Sequence, residues 1–324
     1  MPLLNPPDIV PEAMRYLLRA LLAVPGQALS EAELKDLVAP PGLAEAMAAV
    51  SAEDDEDSPD DEREAKGTGQ TITEASLAAL RTLDMVTGRA ERWTPGPDAS
   101  RWARAKDITA REFASALLAS LRKHHAPPGS SKSGGADDLV HGLSMLYSAA
   151  DPFTPFDCFD SRRGSRRFVD WQKDRLGDDS KRWPLANAER WHPFRRWAVY
   201  LGTGRIVGTA LIPDASIAME RSLRLQEQEY SIEEFVQQSL AVLPFLDSRG
   251  SMFGHDAEVE ADHAVLSPGL SLTLTILEAK GTVAFSRRSD VGGRTLRVRS
   301  DRSFDQRVTH VLWNGLQVGE WRAS

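Results

Sequence analysis

The strongest constraint on the fold is an order of elements that occurs near both ends of the chain. In residues 1–100, apolar residues at helical spacing and a turn signal at Gly88 predict three helices and a hairpin, at residues 11–24, 31–38, 74–83 and 85–93. Ser30 and Glu33 have the Ser-x-x-Glu spacing of a capping box at the start of the second helix. Helix, helix, helix and hairpin is the order of a winged helix. We therefore predict a winged-helix-like domain over residues 1–100.

Residues 229–324 repeat this order. Ser231 and Glu234 form a second capping-box pattern at the start of a helix, and a short second helix could occupy residues 256–266. A third helix precedes two apolar segments that predict a hairpin, at residues 282–286 and 294–298. We therefore predict a second winged-helix-like domain at this end of the chain.

The third helix of the C-terminal domain is its ambiguous element. Residues 270–276 alternate apolar and polar side chains, which taken alone favours a strand. Ser267 followed by Pro268 is a helix start signal, and Gly281 is a stop signal, so we predict a helix. The outward face of that helix would carry Ser271, Thr275 and Glu278.

The region between the two domains, residues 101–228, is predicted to be helical. The predicted fold class is therefore mainly α with small β-hairpins (α+β), with two winged-helix-like units joined by a helical middle region. Residues 53–64 are almost all acidic and cannot pack into a core, so we expect an acidic insertion at about residues 52–70.

Composition restricts the compartment and the kinds of site. Cys158 is the only cysteine, which excludes an intramolecular disulfide and a cysteine-based metal cluster. No apolar run reaches the roughly 18 residues that a membrane span needs. The first residues also lack the basic stretch and apolar core of a signal peptide. We expect a cytoplasmic protein with no membrane partner.

The sequence patterns of common catalytic sites do not occur. The glycines at 202, 204 and 208 have the wrong spacing for a dinucleotide site, and residues 129–135 lack the Gly-Lys-Ser/Thr order of a phosphate-binding loop. No pair of histidines has the spacing of a helical metal site, and no Gly-x-Ser-x-Gly elbow is present. We therefore expect no catalytic residue, no metal and no cofactor. An enzyme site whose residues form no linear pattern is the alternative that stays open.

The clearest functional signal is a basic cluster in the C-terminal domain. From Lys280 to Arg307 there are eight basic residues and three acidic ones. A winged helix lays its third helix in the major groove while hairpin residues contact phosphates, for which the forked guanidinium is well suited. We predict that double-stranded DNA is contacted by Ser271, Thr275, Lys280, Arg287, Arg288, Arg294, Arg297 and Arg299. The alternative is a solvated hairpin whose arginines pair with nearby acids.

A second basic cluster lies in the middle region, where arginines are followed by tryptophans. Such residues can hold phosphates and stack on bases, so the candidate DNA contacts include Arg162, Arg163, Arg166 and Arg167. The alternative is that the aromatic residues are core anchors and the arginines belong to a loop. The first domain is predicted to be a poor DNA reader, because Glu74 on its third helix and the acidic insertion would repel phosphates.

Several segments of the chain together resemble the DpdG family. They are PLLNPPDIVPEAMRYLLRALL at the start, NAERWHPFRRWAVYLG in the middle, and VLPFLD, LSPGLSLTLTILEAKGTVAFSRRSD and RVTHVLW towards the end. The resemblance implies a component of the bacterial dpd cluster, whose products insert 7-deazaguanine derivatives into DNA and restrict unmodified DNA. It implies a role in phage defence beside the restriction components, and it supplies no catalytic residues.

Three functions follow from these observations. The first is a non-catalytic, DNA-binding accessory protein of a DNA modification–restriction system, with the chemistry carried out by partner proteins of the cluster. The second is a protein–protein adaptor, which the net charge of −8 and the acidic first domain favour. The third is a winged-helix transcription regulator, which normally requires a dimer on two half-sites.

Overall fold

The computed structural model describes residues 3–4, 9–38, 68–125, 136–148, 156–157, 170, 172–173, 178, 185, 190–208, 210–247, 264–289, 292–298 and 305–315. Within these ranges the protein is a mixed α+β structure with small antiparallel sheets of two or three strands, as predicted. The chain separates into two compact units, Met1–His124 and His125–Ser324. The finer division into domains at residues 100 and 228 stays a prediction.

The first unit contains, in chain order, α1 (Pro11–Ala23), a 3-10 turn (Pro25–Gln27), α2 (Glu31–Val38), α3 (Thr68–Thr82), β1 (Val86–Arg89), β2 (Arg92–Pro95), a 3-10 helix (Pro97–Trp102) and α4 (Ala110–His124). Three helices followed by a hairpin is the order that the sequence predicts. Helix α3 begins at Thr68, six residues before its predicted start.

The three first helices of this unit pack around one apolar core. Leu17 and Leu21 of α1 are fully buried, and Leu80 of α3 is also inaccessible to solvent. These side chains recur at helical spacing, so each helix presents one apolar stripe to the others. The hairpin joins the same core through β2, because Trp93 exchanges two backbone hydrogen bonds with Leu29, of 2.7 and 3.1 Å.

The second unit contains α5 (Asp137–Ser148), β3 (Phe156–Asp157), α6 (Trp191–Leu201), β4 (Gly204–Val207), β5 (Ala210–Pro213), α7 (Ser216–Ser222), β6 (Gln228–Ser231), α8 (Ile232–Val242), α9 (Pro268–Ala279), β7 (Val283–Ser286), β8 (Arg294–Leu296), β9 (Gln306–Val308) and β10 (His310–Trp313). Its strands form antiparallel sheets in the orders β3-β5-β4, β6-β10-β7 and β8-β9. The strands β3, β4, β5, β6, β9 and β10 were not predicted from the sequence. Three of them, β3, β4 and β5, lie in the middle region that was predicted to be helical.

Helix α9 confirms the helix predicted after Ser267. The Ser267 side chain accepts a hydrogen bond from the Leu270 backbone N–H, and Pro268 occupies the first turn. Nearly all residues of the first two turns are buried, so the helix has apolar or small polar side chains on all of its faces. The alternation along the sequence reflects this burial and does not indicate a strand. The outward placement of Ser271 was wrong: it is fully buried, and its Oγ accepts from the Arg297 backbone N–H at 3.0 Å.

The predicted C-terminal hairpin was also wrong in its strand pairing. Strand β7 pairs with β10, and β8 pairs with β9. Strand β10 carries Val311 and Trp313 into the core, and this burial favours its central place between β6 and β7 over a local hairpin. Residues 264–266 are not helical, and the rest of the possible helix at 256–266 lies outside the described residues.

No helix in the described part of the chain is both long and apolar enough to cross a membrane.

Candidate nucleic-acid interface

Four of the basic residues predicted to contact DNA bind carboxylates instead of standing free. The pairs are Lys280 Nζ with Glu220 Oε1 at 3.4 Å, Arg288 with Glu229, Arg294 Nε with Glu233 Oε2 at 2.9 Å, and Arg297 Nη2 with Asp305 Oδ2 at 2.9 Å. In each pair the two charges cancel, so a phosphate would compete with the carboxylate for the same donors.

Two of these pairs hold the second unit together. The Arg294 side chain is only 19% exposed and links β8 to Glu233 in the first turn of α8. Arg297 links the end of β8 to Asp305, just before β9. Their guanidinium groups therefore position strands, as in the alternative interpretation of the basic cluster.

Arg287 and Arg307 are different from these four residues. Both are exposed, and neither forms an ion pair with any other residue that the structure describes. The segments that carry them lie side by side, since the Arg288 backbone N–H donates to Thr309 Oγ1 at 2.9 Å. We call Arg287 and Arg307 the C-terminal basic edge.

The remaining predicted contacts fall into two groups. Thr275 is exposed on α9, but its Oγ1 donates to the Ser271 carbonyl at 2.9 Å. Outside the described residues lie Arg299, Arg162, Arg163, Arg166 and Arg167. Because most of α9 is buried, its side chains offer little surface for reading base edges.

The first unit holds exposed arginines that were not among the predicted DNA contacts. They are Arg81, Arg89, Arg92, Arg101 and Arg104. The signal was present in the sequence, because residues 81–104 hold five arginines and three acids. The acidic insertion outweighed it, since the first domain as a whole was judged acidic.

Glu74 does not act as the free negative charge that the sequence suggested. Its Oε1 lies 2.6 Å from Lys35 Nζ, and Glu31 binds the same ammonium group at 3.0 Å. The hydrogen bonds that Lys35 donates to Glu74 and Glu31 raise the pKa of Lys35, so its ammonium group stays charged and offsets one of the two carboxylates.

A groove in the first unit exposes large apolar side chains. Tyr16 on α1 is 52% exposed and Leu37 on α2 is 60% exposed. The groove encloses about 500 Å³ and is lined by Tyr16, Arg19, Ala20, Ala23, Leu37, Lys106 and Asp107. An apolar floor with charged side chains at its margin suits an apolar side chain of a peptide better than a phosphate.

Histidine and carboxylate side chains meet at the start of the second unit. His125 Nδ1 lies 2.9 Å from Asp137 Oδ1, and the ring of His141 packs edge-on at 5.3 Å. Burial lowers the pKa of His125, although Asp137 acts in the opposite direction. Among the residues described, no group of three or more His, Cys, Asp or Glu side chains could hold a metal ion.

Comparison with known proteins identifies a family. A family model described as DpdG-like matches residues 1–291 of the 324-residue chain. The match covers the whole first unit and the second unit through β7, so strands β8 to β10 lie beyond it. No curated protein and no solved structure matches the chain.

Proposed function

Because the chain belongs to the DpdG-like family, we propose that it is a non-catalytic accessory protein of the bacterial dpd cluster that binds double-stranded DNA. The family suggests the role in the cluster, and the C-terminal basic edge supports the DNA contact. The single observation that carries the contact is the pair Arg287 and Arg307, exposed and without a carboxylate partner among the described residues.

We further propose that the first unit is a winged helix. Three helices and a hairpin follow one another in the required order. The backbone pairing of Leu29 with Trp93 supports this proposal, because it adds a short strand between α1 and α2 to the hairpin. The second unit fits a winged helix less well, since its strands pair across long stretches of sequence.

The proposed contact is to phosphates and not to bases. A guanidinium without a carboxylate partner can give its N–H groups to phosphate oxygens and release condensed counterions from the duplex. Arg294 and Arg297 already use their donors on Glu233 and Asp305. Binding through the C-terminal basic edge is therefore expected to be salt-dependent and to show little sequence preference.

The test is a fluorescence anisotropy titration of the full chain against a random duplex at several salt concentrations. Arg287→Ala with Arg307→Ala removes two phosphate contacts, which makes the slope of log K against log salt less steep by about 2. The matched control is Arg196→Ala with Arg224→Ala, which removes two other exposed arginines of the same unit. An unchanged slope in the first variant would reject the C-terminal basic edge as the contact.

The absence of catalysis is part of the proposal and is tested separately. Purified protein at micromolar concentration is incubated with supercoiled DNA, Mg²⁺ and ATP. We expect the DNA to stay intact and no phosphate to be released, because the chain is proposed to act through partner proteins. Nicking or hydrolysis that survives repurification would contradict this part.

A protein–protein adaptor is the second candidate function, and the exposed groove around Tyr16 and Leu37 favours it. Co-expression with the other dpd products tests it in nuclease-treated extract. Tyr16→Ser with Leu37→Ser is expected to reduce co-purification, whereas Val199→Ser, which alters an exposed residue of the second unit, leaves it unchanged. Equal recovery with all variants would exclude the groove as the docking site.

A further inference from the structure

The first unit carries a set of exposed arginines that are not bound to carboxylates in the described part of the chain. We call them the first-unit arginine surface: Arg81, Arg89, Arg92, Arg101 and Arg104. All five are exposed, and within the described ranges none of them forms an ion pair. They differ in this respect from Arg294 in β8 and Arg297 after it, which are bound to acids.

The acids close to these arginines in sequence bind other cations. Lys123 Nζ lies 2.9 Å from Asp84 Oδ2 and 3.3 Å from Asp98 Oδ1. These two carboxylates therefore raise the pKa of Lys123, with the Asp84 hydrogen bond as the largest cause. Glu91, in the turn of the hairpin, is the remaining acid within residues 81–104. Residues 81–104 together with Lys123 hold six basic and three acidic residues, so the local net charge is +3.

The hairpin places two of the arginines side by side. Arg89 and Arg92 are directly opposed in the antiparallel register of β1 and β2. Side chains at opposed positions have Cβ atoms roughly 5 Å apart, so the like charges repel in the free protein. An anionic ligand that binds both guanidinium groups would relieve this repulsion.

Two further arginines lie against tryptophan rings. The Arg81 guanidinium carbon is 5.8 Å from the Trp93 ring centre, and that of Arg101 is 4.0 Å from the Trp102 ring centre. Both rings are nearly buried and therefore fixed. Stacking on a ring uses the face of a guanidinium and leaves its N–H groups free to donate to phosphate oxygens.

Backbone contacts bring the hairpin and the following 3-10 helix together. The Gly96 N–H donates to the Met85 carbonyl at 2.8 Å, and Trp93 pairs with Leu29. Gln27, which lies two residues before Leu29, donates from its Nε2 to the Ala103 carbonyl at 2.8 Å. The arginines from 81 to 104 therefore belong to neighbouring parts of one folded unit.

We infer that the first-unit arginine surface is a second contact for the phosphate backbone of double-stranded DNA. The inference rests on the proposed DNA binding but uses a different unit of the chain. Five cations spread over a helix end, a hairpin and a 3-10 helix match a continuous polyanion better than a single small anion. Lys35 binds both Glu74 and Glu31 and so offsets one of these two negative charges of the first unit.

The experiment compares variants of the full chain in the anisotropy titration. Arg89→Ala with Arg92→Ala is expected to make the salt slope less steep by about 2 and to weaken binding on the order of 60-fold at 0.1 M salt. Arg111→Ala with Arg122→Ala is the matched control, since it removes two exposed cations of the same unit outside this surface. The control is expected to keep the wild-type slope. Arg89→Lys with Arg92→Lys keeps the charge and should restore most of the slope.

The outcomes separate this inference from the proposed function. If Arg287→Ala with Arg307→Ala loses binding and Arg89→Ala with Arg92→Ala matches its control, the first-unit surface is wrong and the C-terminal basic edge stands. The reverse result supports the first-unit surface and rejects the basic edge. Wild-type protein that does not bind DNA at low salt overturns both.

An acidic polypeptide is the other polyanion that could occupy this surface. Poly-glutamate is therefore titrated against the same variants. A loss of poly-glutamate binding in the Arg89→Ala, Arg92→Ala variant with unchanged DNA binding would show that the surface takes acidic protein and would overturn the inference.

Discussion

Gly269 in the first turn of α9 allows this helix to approach α5 closely. A Cβ added at position 269 would lie 2.6 Å from Tyr147 Cδ1 and 2.8 Å from Tyr147 Cα. Tyr147 cannot move aside easily, because it is fully buried and its hydroxyl donates to the Thr203 carbonyl at 2.7 Å. We therefore expect Gly269→Ala to push the two helices apart.

The size of this effect follows from two opposing contributions. Overpacking of a well-packed core costs about 1–3 kcal/mol. Replacing a helical glycine by alanine returns at most about 1 kcal/mol through helix propensity. Two contacts under 3 Å, one of them with a backbone atom, place the overpacking cost in the upper half of its range, at about 2–3 kcal/mol. The net loss in the free energy of unfolding is then about 1–2 kcal/mol, which lowers the melting temperature of a unit of this size by about 2–8 °C.

Urea unfolding of the full chain, followed by tryptophan fluorescence and by circular dichroism, measures this loss. Gly292→Ala is the control, because a Cβ at Gly292 meets nothing within 4 Å. The control should stay within about 0.5 kcal/mol of wild type. A Gly269→Ala protein as stable as wild type would show that α9 and α5 do not pack this closely.

Three further changes test other contacts of the second unit. Ser231→Ala removes the side-chain acceptor at the start of α8 and should lower the free energy of unfolding by about 1 kcal/mol in the same urea assay. Arg205→Ala removes the partner at 2.6 Å of the buried Asp214 carboxylate and should cost about 1–3 kcal/mol, measured by calorimetry. Burial lowers the pKa of His125 below its ordinary value of 6.5, so the unfolded chain binds this proton more readily and stability falls as pH drops through about 6.5. His125→Gln should make the fall in melting temperature between about pH 7.5 and pH 5.5 smaller.

Each of these three has a result that would contradict it. Ser231→Thr keeps the hydroxyl and should retain the stability that Ser231→Ala loses, so equal losses would exclude capping as the cause. Arg205→Lys keeps the charge and should restore part of the stability, so a loss as large as that of Arg205→Ala would show that charge pairing with Asp214 does not contribute. A pH dependence of His125→Gln identical to wild type would show that another group titrates.

The sequence identified features that depend on residues close together in the chain. Both capping boxes form as predicted: Glu33 N–H donates to Ser30 Oγ at 3.2 Å, and Glu234 N–H donates to Ser231 Oγ at 3.2 Å. A cap needs only the right side chain three residues from its partner, so the rest of the fold has little influence on it. Likewise, the start signal before α9 outweighed the strand-like alternation.

The candidate site was less predictable, because its charges are set by partners far away in sequence. Arg294 binds Glu233, 61 residues before it, and Arg288 binds Glu229, 59 residues before it. A count of basic residues along the chain treats such arginines as free. In the first unit the error was the opposite, because available arginines were overlooked. The nine acids and one arginine of residues 53–64 have a net charge of −8, equal to that of the whole chain, so the first domain was judged acidic despite the arginines of residues 81–104.

The sequence by itself determined the α+β class, the capped helices and the membership of the DpdG-like family, because these depend on local spacing or on the whole string of residues. Only the tertiary structure decided that β7 pairs with β10, that Ser271 is buried and that Arg287 and Arg307 have no carboxylate partner within the described residues. Strand pairing and ion pairing join residues that are distant in the chain, and local patterns carry no information about which of them meet.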